Sequence, residues 1–529
     1  MTQVGDLSEP LSGRAWTSGT ARAQCRYRAE RFAASGMRPG DLVFVHSGNG
    51  LEFFADLLAI WSVGACAAPI DPRLTAFEVE TLARAAAPRF SLWLGTPPAE
   101  VAAALGAHGV TLLESPAGSE GPAAATDAPW PPRPLAPERD ALVLFTSGTT
   151  GGPKGVVHTH GSLRARWRSL RTHVGVRSVR RTLCLLPTHF GHGLICNALF
   201  PWLSGQHLAI LPPFRAEVIL QLGALVDEHR ITFMSSVPAL WRVGLRTARP
   251  PRGRTLERVF CGSAPLSAAM WSDIERWTGA PVSNVYGITE TASWLAGTAP
   301  RTTPEDGLVG EPWGSRVAVA PGADGLEPPL AQTGACPPGE TGRVWVRTPA
   351  LMRGYLKRDD LTAQAVRGGW LATGDIGLLD SRGRLHLRGR EREEINRGGM
   401  KVYPGDVDAV IERCEEALDG CTFGYDDGQG QEEVGLAVVL KSGGDAAIRA
   451  LYAWARRHLA AHQVPRRWYV VDEIPRTSRG KVNRAQLAAR CAGLRPVDLR
   501  GLPAGGTGAI AAARSATASA RDGRRDHGA

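Results

Sequence analysis

The run Thr146-Ser147-Gly148-Thr149-Thr150-Gly151-Gly152-Pro153-Lys154-Gly155 follows an apolar stretch, ALVLF, that ends at Phe145. Glycines let backbone N–H groups converge on an anion, hydroxyls add donors and a lysine adds charge, so a loop of this composition suits phosphate. It is not a Walker A loop, which needs Gly-Lys followed by Ser or Thr, because Pro153 precedes Lys154 and Gly155 follows it. A plain surface turn is the alternative for such a composition. A second set, Cys184, His189, His192 and Cys196, spaced C-x4-H-x2-H-x3-C, has the look of a metal site. Four ligands must also converge tetrahedrally, which spacing alone does not supply.

Three further stretches follow in order: Asn284-Val-Tyr286-Gly287-Ile-Thr289-Glu290, then Thr373-Gly-Asp375 ahead of Gly389-Arg390, then Pro475-Arg-Thr-Ser-Arg-Gly-Lys481. Together with the 146–155 loop they resemble the adenylate-forming superfamily, which includes acyl-CoA synthetases, aryl-acid ligases, peptide-synthetase adenylation domains and luciferases. The resemblance runs from about Gly36 to Leu487. It implies an α/β fold, with a large multi-subdomain N-terminal adenylation domain over residues 1–390 and a small mobile α+β lid over 391–494. Residues 495–529, rich in Gly, Ala, Ser and Arg without pattern, read as a disordered tail. Arg392 occupies the hinge position, where aspartate or lysine is more usual.

The implied reaction is attack by a substrate carboxylate on the α-phosphorus of ATP, giving an acyl adenylate and pyrophosphate. No protein nucleophile is needed, so catalysis rests on positioning and charge neutralisation. By the resemblance, Thr146, Ser147, Gly148, Thr149, Thr150, Gly151 and Lys154 wrap the β- and γ-phosphates, and Gly262, Ser263, Ala264 and Pro265 line adenine and the acyl site. Tyr286 and Gly287 lie at adenine, with Asn284 at its amino edge. Thr289 touches the α-phosphate and Glu290 holds Mg²⁺, a hard cation that prefers oxygen. Asp375 and Arg390 bind the ribose hydroxyls, and Lys481 bridges the attacking carboxylate and the ATP oxygens. The lid then rotates, withdrawing the lysine, and Gly398 and Gly399 leave room for the pantetheine of an incoming thiol, with CoA as co-substrate.

The zinc-like set falls in the family segment where an aromatic or histidine walls the acyl pocket, here Phe190. Gly191 stands where amino-acid-activating relatives carry an aspartate, and the asparagine of hydroxybenzoate-activating relatives is also missing. FGHGLICNALFP (190–201) is closer to benzoate-type CoA ligases, which favours an aryl or arylalkenoic acid, with His192, Asn197, Ser293 and Trp294 as further lining. The acceptor could instead be a carrier-protein phosphopantetheine or an amine, and a minor branch activates nitrite for diazotisation. A reading of another class is a nucleotide-binding scaffold without catalysis.

These residues need strands and helices to hold them. LVFVHS (42–47), ALVLFT (141–146), TLCLLP (182–187), LAILP (208–212) and ITFMSSV (231–237) read as strands with helices between, such as 52–64, in layered α/β order. Residues 115–138, rich in Pro, Ala and Gly, read as a mobile connection, and 375–390 as a hairpin turning at 381–384. VGLAVVL (434–440), a helix carrying Ile448, Leu451, Ala455 and Leu459, and WYVVDEIP (468–475) furnish the lid. At 529 residues there is ample core for several units. The nine cysteines form no CxxC pair and read as reduced core thiols. The net charge of +10 comes from arginines interleaved with acids, which favours anionic nucleotides without specifying nucleic acid. No run spans a bilayer and no signal-peptide pattern opens the chain, so a cytoplasmic protein without membrane insertion is expected.

Overall fold

The computed structural model describes residues 3–118, 135–146, 153–213, 216–321, 334–398, 400–428, 431–476 and 482–499. Ser147, Gly148, Thr149, Thr150, Gly151, Gly399 and Lys481 lie outside these, as do residues 119–134 of the expected connection and 500–529 of the expected tail.

Among the described residues, the large domain is built on two sheets. In the 7-stranded sheet the apolar strands Leu42–Val45, Cys66–Pro69, Phe90–Trp93 and Asp140–Thr146 run parallel, with helices such as Leu51–Val63 between successive strands. That helix buries nearly every residue from Leu51 to Trp61 and stops at Gly64, whose φ of 87° closes it in the left-handed form. Asp140–Thr146 then pairs antiparallel with Lys154–Thr159, so Thr146 faces Lys154 at the open end of the ladder.

The other sheet is 14-stranded and changes character midway. Arg181–Cys184, Phe233–Ser236, Arg258–Gly262 and Val282–Ile288 are parallel neighbours, whereas Val282–Ile288 pairs antiparallel with Ser293–Gly297. The strands expected at 182–187 and 231–237 are shorter than expected, at Arg181–Cys184 and Phe233–Ser236, with Pro187 and Pro238 just beyond their C-terminal ends. The expected hairpin forms from Trp370–Leu379 and Leu385–Arg390, turning at Asp380 to Arg384.

The lid has its own core. Glu432–Leu440 is the central strand, antiparallel to Ala417–Asp426 and parallel to Arg467–Val470, and the helix Asp445–His458 packs Ile448, Leu451 and Ala455 against it. Val497 N donates to the Trp468 carbonyl at 2.8 Å, and Val497 and Leu499 pack against this core. All nine cysteines are unpaired and all but Cys336 are buried. Among the described residues no helix is long and apolar enough to cross a membrane.

Candidate active site between the two domains

A cavity of about 280 Å³ lies between the large domain and the lid. Its large-domain wall is formed by Ser263, Ala264, Pro265, Asn284, Tyr286 and Gly287, with Asp375 and Arg390 beside them, and the lid contributes Arg476 and Arg484.

Asp375 and Arg390 are direct cross-strand partners in the hairpin, and Arg390 Nε lies 2.7 Å from Asp375 Oδ1. The Tyr286 hydroxyl donates to the other carboxylate oxygen, Oδ2. Residues far apart in the chain thus converge on one buried carboxylate. The Asp375 charge holds the Arg390 guanidinium above its usual range, and burial, followed by that charge, holds the Tyr286 phenol up. Thr373 anchors the group: its hydroxyl donates to the Val344 carbonyl and accepts from Asp375 N, while its own carbonyl accepts from Arg390 Nη1 at 3.3 Å. Asn284 lines the cavity, but its side-chain amide donates to the Leu308 carbonyl at 2.8 Å and so also ties two strands together.

Thr289 and Glu290 sit on a short helical turn, Thr289–Thr291, whose carbonyls are each taken up. His158 Nε2 donates to the Thr289 carbonyl at 2.7 Å, Met352 N to that of Glu290 at 2.7 Å, and the buried Arg166 to that of Thr291 at 2.9 Å. Burial holds the His158 imidazole down at about 4, which keeps it neutral. The chain then leaves through two left-handed residues, Ala292 and Ser293, with φ of 53° and 71°. Glu290 itself is oriented by Tyr355, whose hydroxyl donates to Oε1 at 2.9 Å, and Lys154 Nζ lies 5.6 Å from the same ring. Thr146 donates to the Lys154 carbonyl at 3.4 Å. Among the described residues no cluster of three or more His, Cys, Asp or Glu could hold a metal. One carboxylate oriented by Tyr355, with Lys154 beside the same ring, nevertheless suits Mg²⁺, which takes few protein ligands and fills its shell with phosphate oxygens and water.

The residues read as the acyl pocket lie one layer behind Ser263. His192 opens a π-helix, His192–Leu199, and its ring spans two serines, with Nδ1 2.7 Å from Ser263 Oγ and Nε2 2.6 Å from Ser235 Oγ. Burial holds this imidazole down at about 3. Trp294 packs edge-on to it at 5.1 Å and Phe190 is tilted against it at 5.8 Å. Gly191 is tight, because a Cβ there would meet Leu144 Cδ1 at 3.2 Å. Asn197 is wholly buried and donates to the Leu183 carbonyl, so it braces a strand rather than facing the cavity. His189 lies 3.5 Å from Asp71, away from His192's serine partners. Gly262 and Gly287 are required by the sheet itself: a Cβ would meet the Val285 carbonyl oxygen at 2.2 Å in one case and that of Ser293 at 2.1 Å in the other. Arg392 lies in the turn Glu391–Glu393 that leads into the lid, and Gly398, with φ of 58°, follows the lid strand Ile395–Arg397 in a small hairpin.

Sequence reasoning missed Tyr355, His158 and Arg166. The last two lie shortly after Lys154, in HTHGSLRAR, where a histidine on a buried strand and an arginine on a helix's buried face are the signals available.

The family model described as AMP-binding enzyme matches residues 7–356, and the model for the AMP-binding enzyme C-terminal domain matches 406–481. The chain is 30% identical to an oxalate–CoA ligase of Arabidopsis thaliana, over 86% of this chain and 89% of that protein. It is 31% identical to a feruloyl-CoA synthase of an Amycolatopsis species, over 87% of this chain and 91% of that one. A solved amide bond synthetase from Marinactinospora thermotolerans superposes with a TM-score of 0.79 at 27% identity, covering 93% of this chain and 97% of that one.

Proposed function

Because this chain belongs to the AMP-binding enzyme family and has its two-domain fold, we propose that it activates a carboxylic acid with ATP and passes the acyl group to a thiol, most simply that of CoA. The observation that carries this reading is the Tyr286–Asp375–Arg390 group at the interdomain cavity. A tyrosine face beside a buried carboxylate and a guanidinium suits a purine and the two hydroxyls of a ribose.

The substrate carboxylate attacks the α-phosphorus, the bond to the β-phosphate oxygen breaks and pyrophosphate leaves. Lys481 lies beside the attacking oxygen in this scheme and Thr289 beside the α-phosphate, while the loop from Thr146 to Lys154 takes the leaving pyrophosphate. Glu290, oriented by Tyr355, would hold the Mg²⁺ that neutralises phosphate charge when bound. The turn needs no repositioning for this, since its carbonyls are already fixed by His158, Met352 and Arg166. In the second step the lid turns about Arg392, and the thiol reaches the acyl carbon past Gly398 and Gly399, releasing AMP. The acid we favour is an aryl or arylalkenoic one, and a cytoplasmic setting fits these substrates.

The test is acid-dependent ATP–pyrophosphate exchange across a broad acid panel, with mass spectrometry of products formed with and without CoA. Exchange with one acid class and a thioester only when CoA is present is expected, whereas no exchange with any acid would reject the ligase reading. Transfer to an amine is the second reading, favoured by the similarity to the amide bond synthetase. It predicts an amide product without CoA.

A further inference from the structure

The large domain and the lid meet through a few charged contacts, and one carboxylate among them is shared with a pair inside the lid. Arg242, on the large-domain helix Pro238–Thr247, pairs with Glu412 at the end of the lid helix Pro404–Glu412, and its Nε lies 3.6 Å from Asp419 Oδ1. One helical turn later Arg246 Nη2 donates to the Leu418 carbonyl at 2.8 Å. Asp419 has another partner inside the lid, since Arg476 Nη2 donates to both its oxygens at 2.7 and 2.8 Å. Arg476 is bridged antiparallel to Val482, so the two residues bracket 477–481, the segment that carries Lys481 in the sequence. The side chains of Arg242, Asp419 and Arg476 are each only 19% exposed, which spares these pairs much of the screening that weakens surface ion pairs.

The two bonds to Asp419 respond differently to lid movement. Arg476 and Asp419 travel together within the lid, so their bond survives any rotation of it. Arg242 belongs to the other domain, so its attraction to Asp419 and Glu412 exists only in this docked orientation. We propose that Asp419 and Arg242 are positioning residues, a latch that holds the lid docked with Arg476 at the interdomain cavity and therefore favours adenylation over the transfer step. This rests on the ligase reading above.

With the acid and acceptor that wild type uses, full-length variants are compared in pyrophosphate exchange and in transfer from supplied acyl adenylate. Arg242→Ala and Asp419→Asn are expected to lower exchange by about tenfold, while transfer stays within about twofold of wild type. The pair Arg242→Glu with Glu412→Arg recovers most of the exchange that Arg242→Glu alone loses, which keeps the test decisive if Asp419→Asn fails to fold. Equal loss in both steps, no loss, or no recovery by the exchanged charges would overturn the latch. Failure of the ligase reading looks different, because wild type itself then gives no exchange. Small-angle scattering decides in that event: Arg242→Glu is expected to be more extended than wild type and the exchanged pair compact again, and an unchanged Arg242→Glu profile rejects the latch.

Discussion

Glu290 is held before any ligand arrives, through its backbone neighbours and through one hydroxyl on its side chain. Removing that hydroxyl by Tyr355→Phe keeps the ring beside Lys154 but frees the carboxylate to rotate. The Mg²⁺ concentration for half-maximal exchange should rise about fivefold, the scale of a single ~1 kcal/mol hydrogen bond. Mn²⁺ binding in the presence of a non-hydrolysable ATP analogue, followed by electron paramagnetic resonance, should weaken in parallel, and unchanged binding would show that the hydroxyl does not orient the metal ligand. For Lys481→Ala, adenylation should be abolished while transfer from supplied adenylate persists; equal loss of the two would reject the assigned role. Asp375 and Arg390 were named in the sequence through the family resemblance, and the hairpin read over 375–390 is what brings them face to face. Tyr355 was not, because it acts on a residue 65 positions away from a strand of only two residues.

The element that sets the site is the bend from the strand Val282–Ile288 into Ser293–Gly297, which places Gly287 against the opposing backbone. Gly287→Ala should cost more than about 2 kcal/mol and lower the melting temperature, because the obstructing atom is backbone and cannot swing aside. Calorimetry checks this, and a melting point within a degree or so of wild type would show that the hairpin yields more easily than its geometry implies. Strands of this domain were legible as short apolar runs between turn residues, with ends that shifted by one to three residues. The π-helix at His192 was not legible: every residue of it is buried, so its sequence has no exposed face to reveal a period, and the serines that hold His192, Ser235 and Ser263, lie more than 40 positions away.

At the scale of the whole molecule, several histidines make folding sensitive to acid. Burial holds His46 and His192 at about 3 and His158, His160 and His207 at about 4, against an ordinary value of 6.5. Below pH 6.5 the unfolded chain takes up protons that these folded imidazoles refuse, so stability falls as pH falls from 6.5 towards 4. Asp56 opposes this over a narrower window, since burial raises its carboxyl to about 6 from 3.8 and the folded form there gains protons first. The melting temperature should therefore drop between pH 7 and pH 5, and His46→Phe, which retains stacking on Trp93, should drop less. Equal drops would remove His46 from the account. The two-domain plan was legible from ordered motifs and from a change of texture near residue 393. What was not legible was how the domains dock, because Arg242 of the large domain and Glu412 and Asp419 of the lid look like ordinary surface charges until the two domains are brought together.

The larger sheet also implies an order of assembly. Val282–Ile288 is the joint between a parallel half, whose strands are joined by long crossovers, and an antiparallel half that begins with a hairpin. Local pairings close quickly and distant ones slowly. Tyr286 therefore cannot settle into its final surroundings until the slower half has arrived, and its side of the interdomain cavity should be among the last parts of the protein to mature. In pulsed hydrogen exchange during refolding, amides paired between Val282–Ile288 and Arg258–Gly262 should gain protection after those paired with Ser293–Gly297.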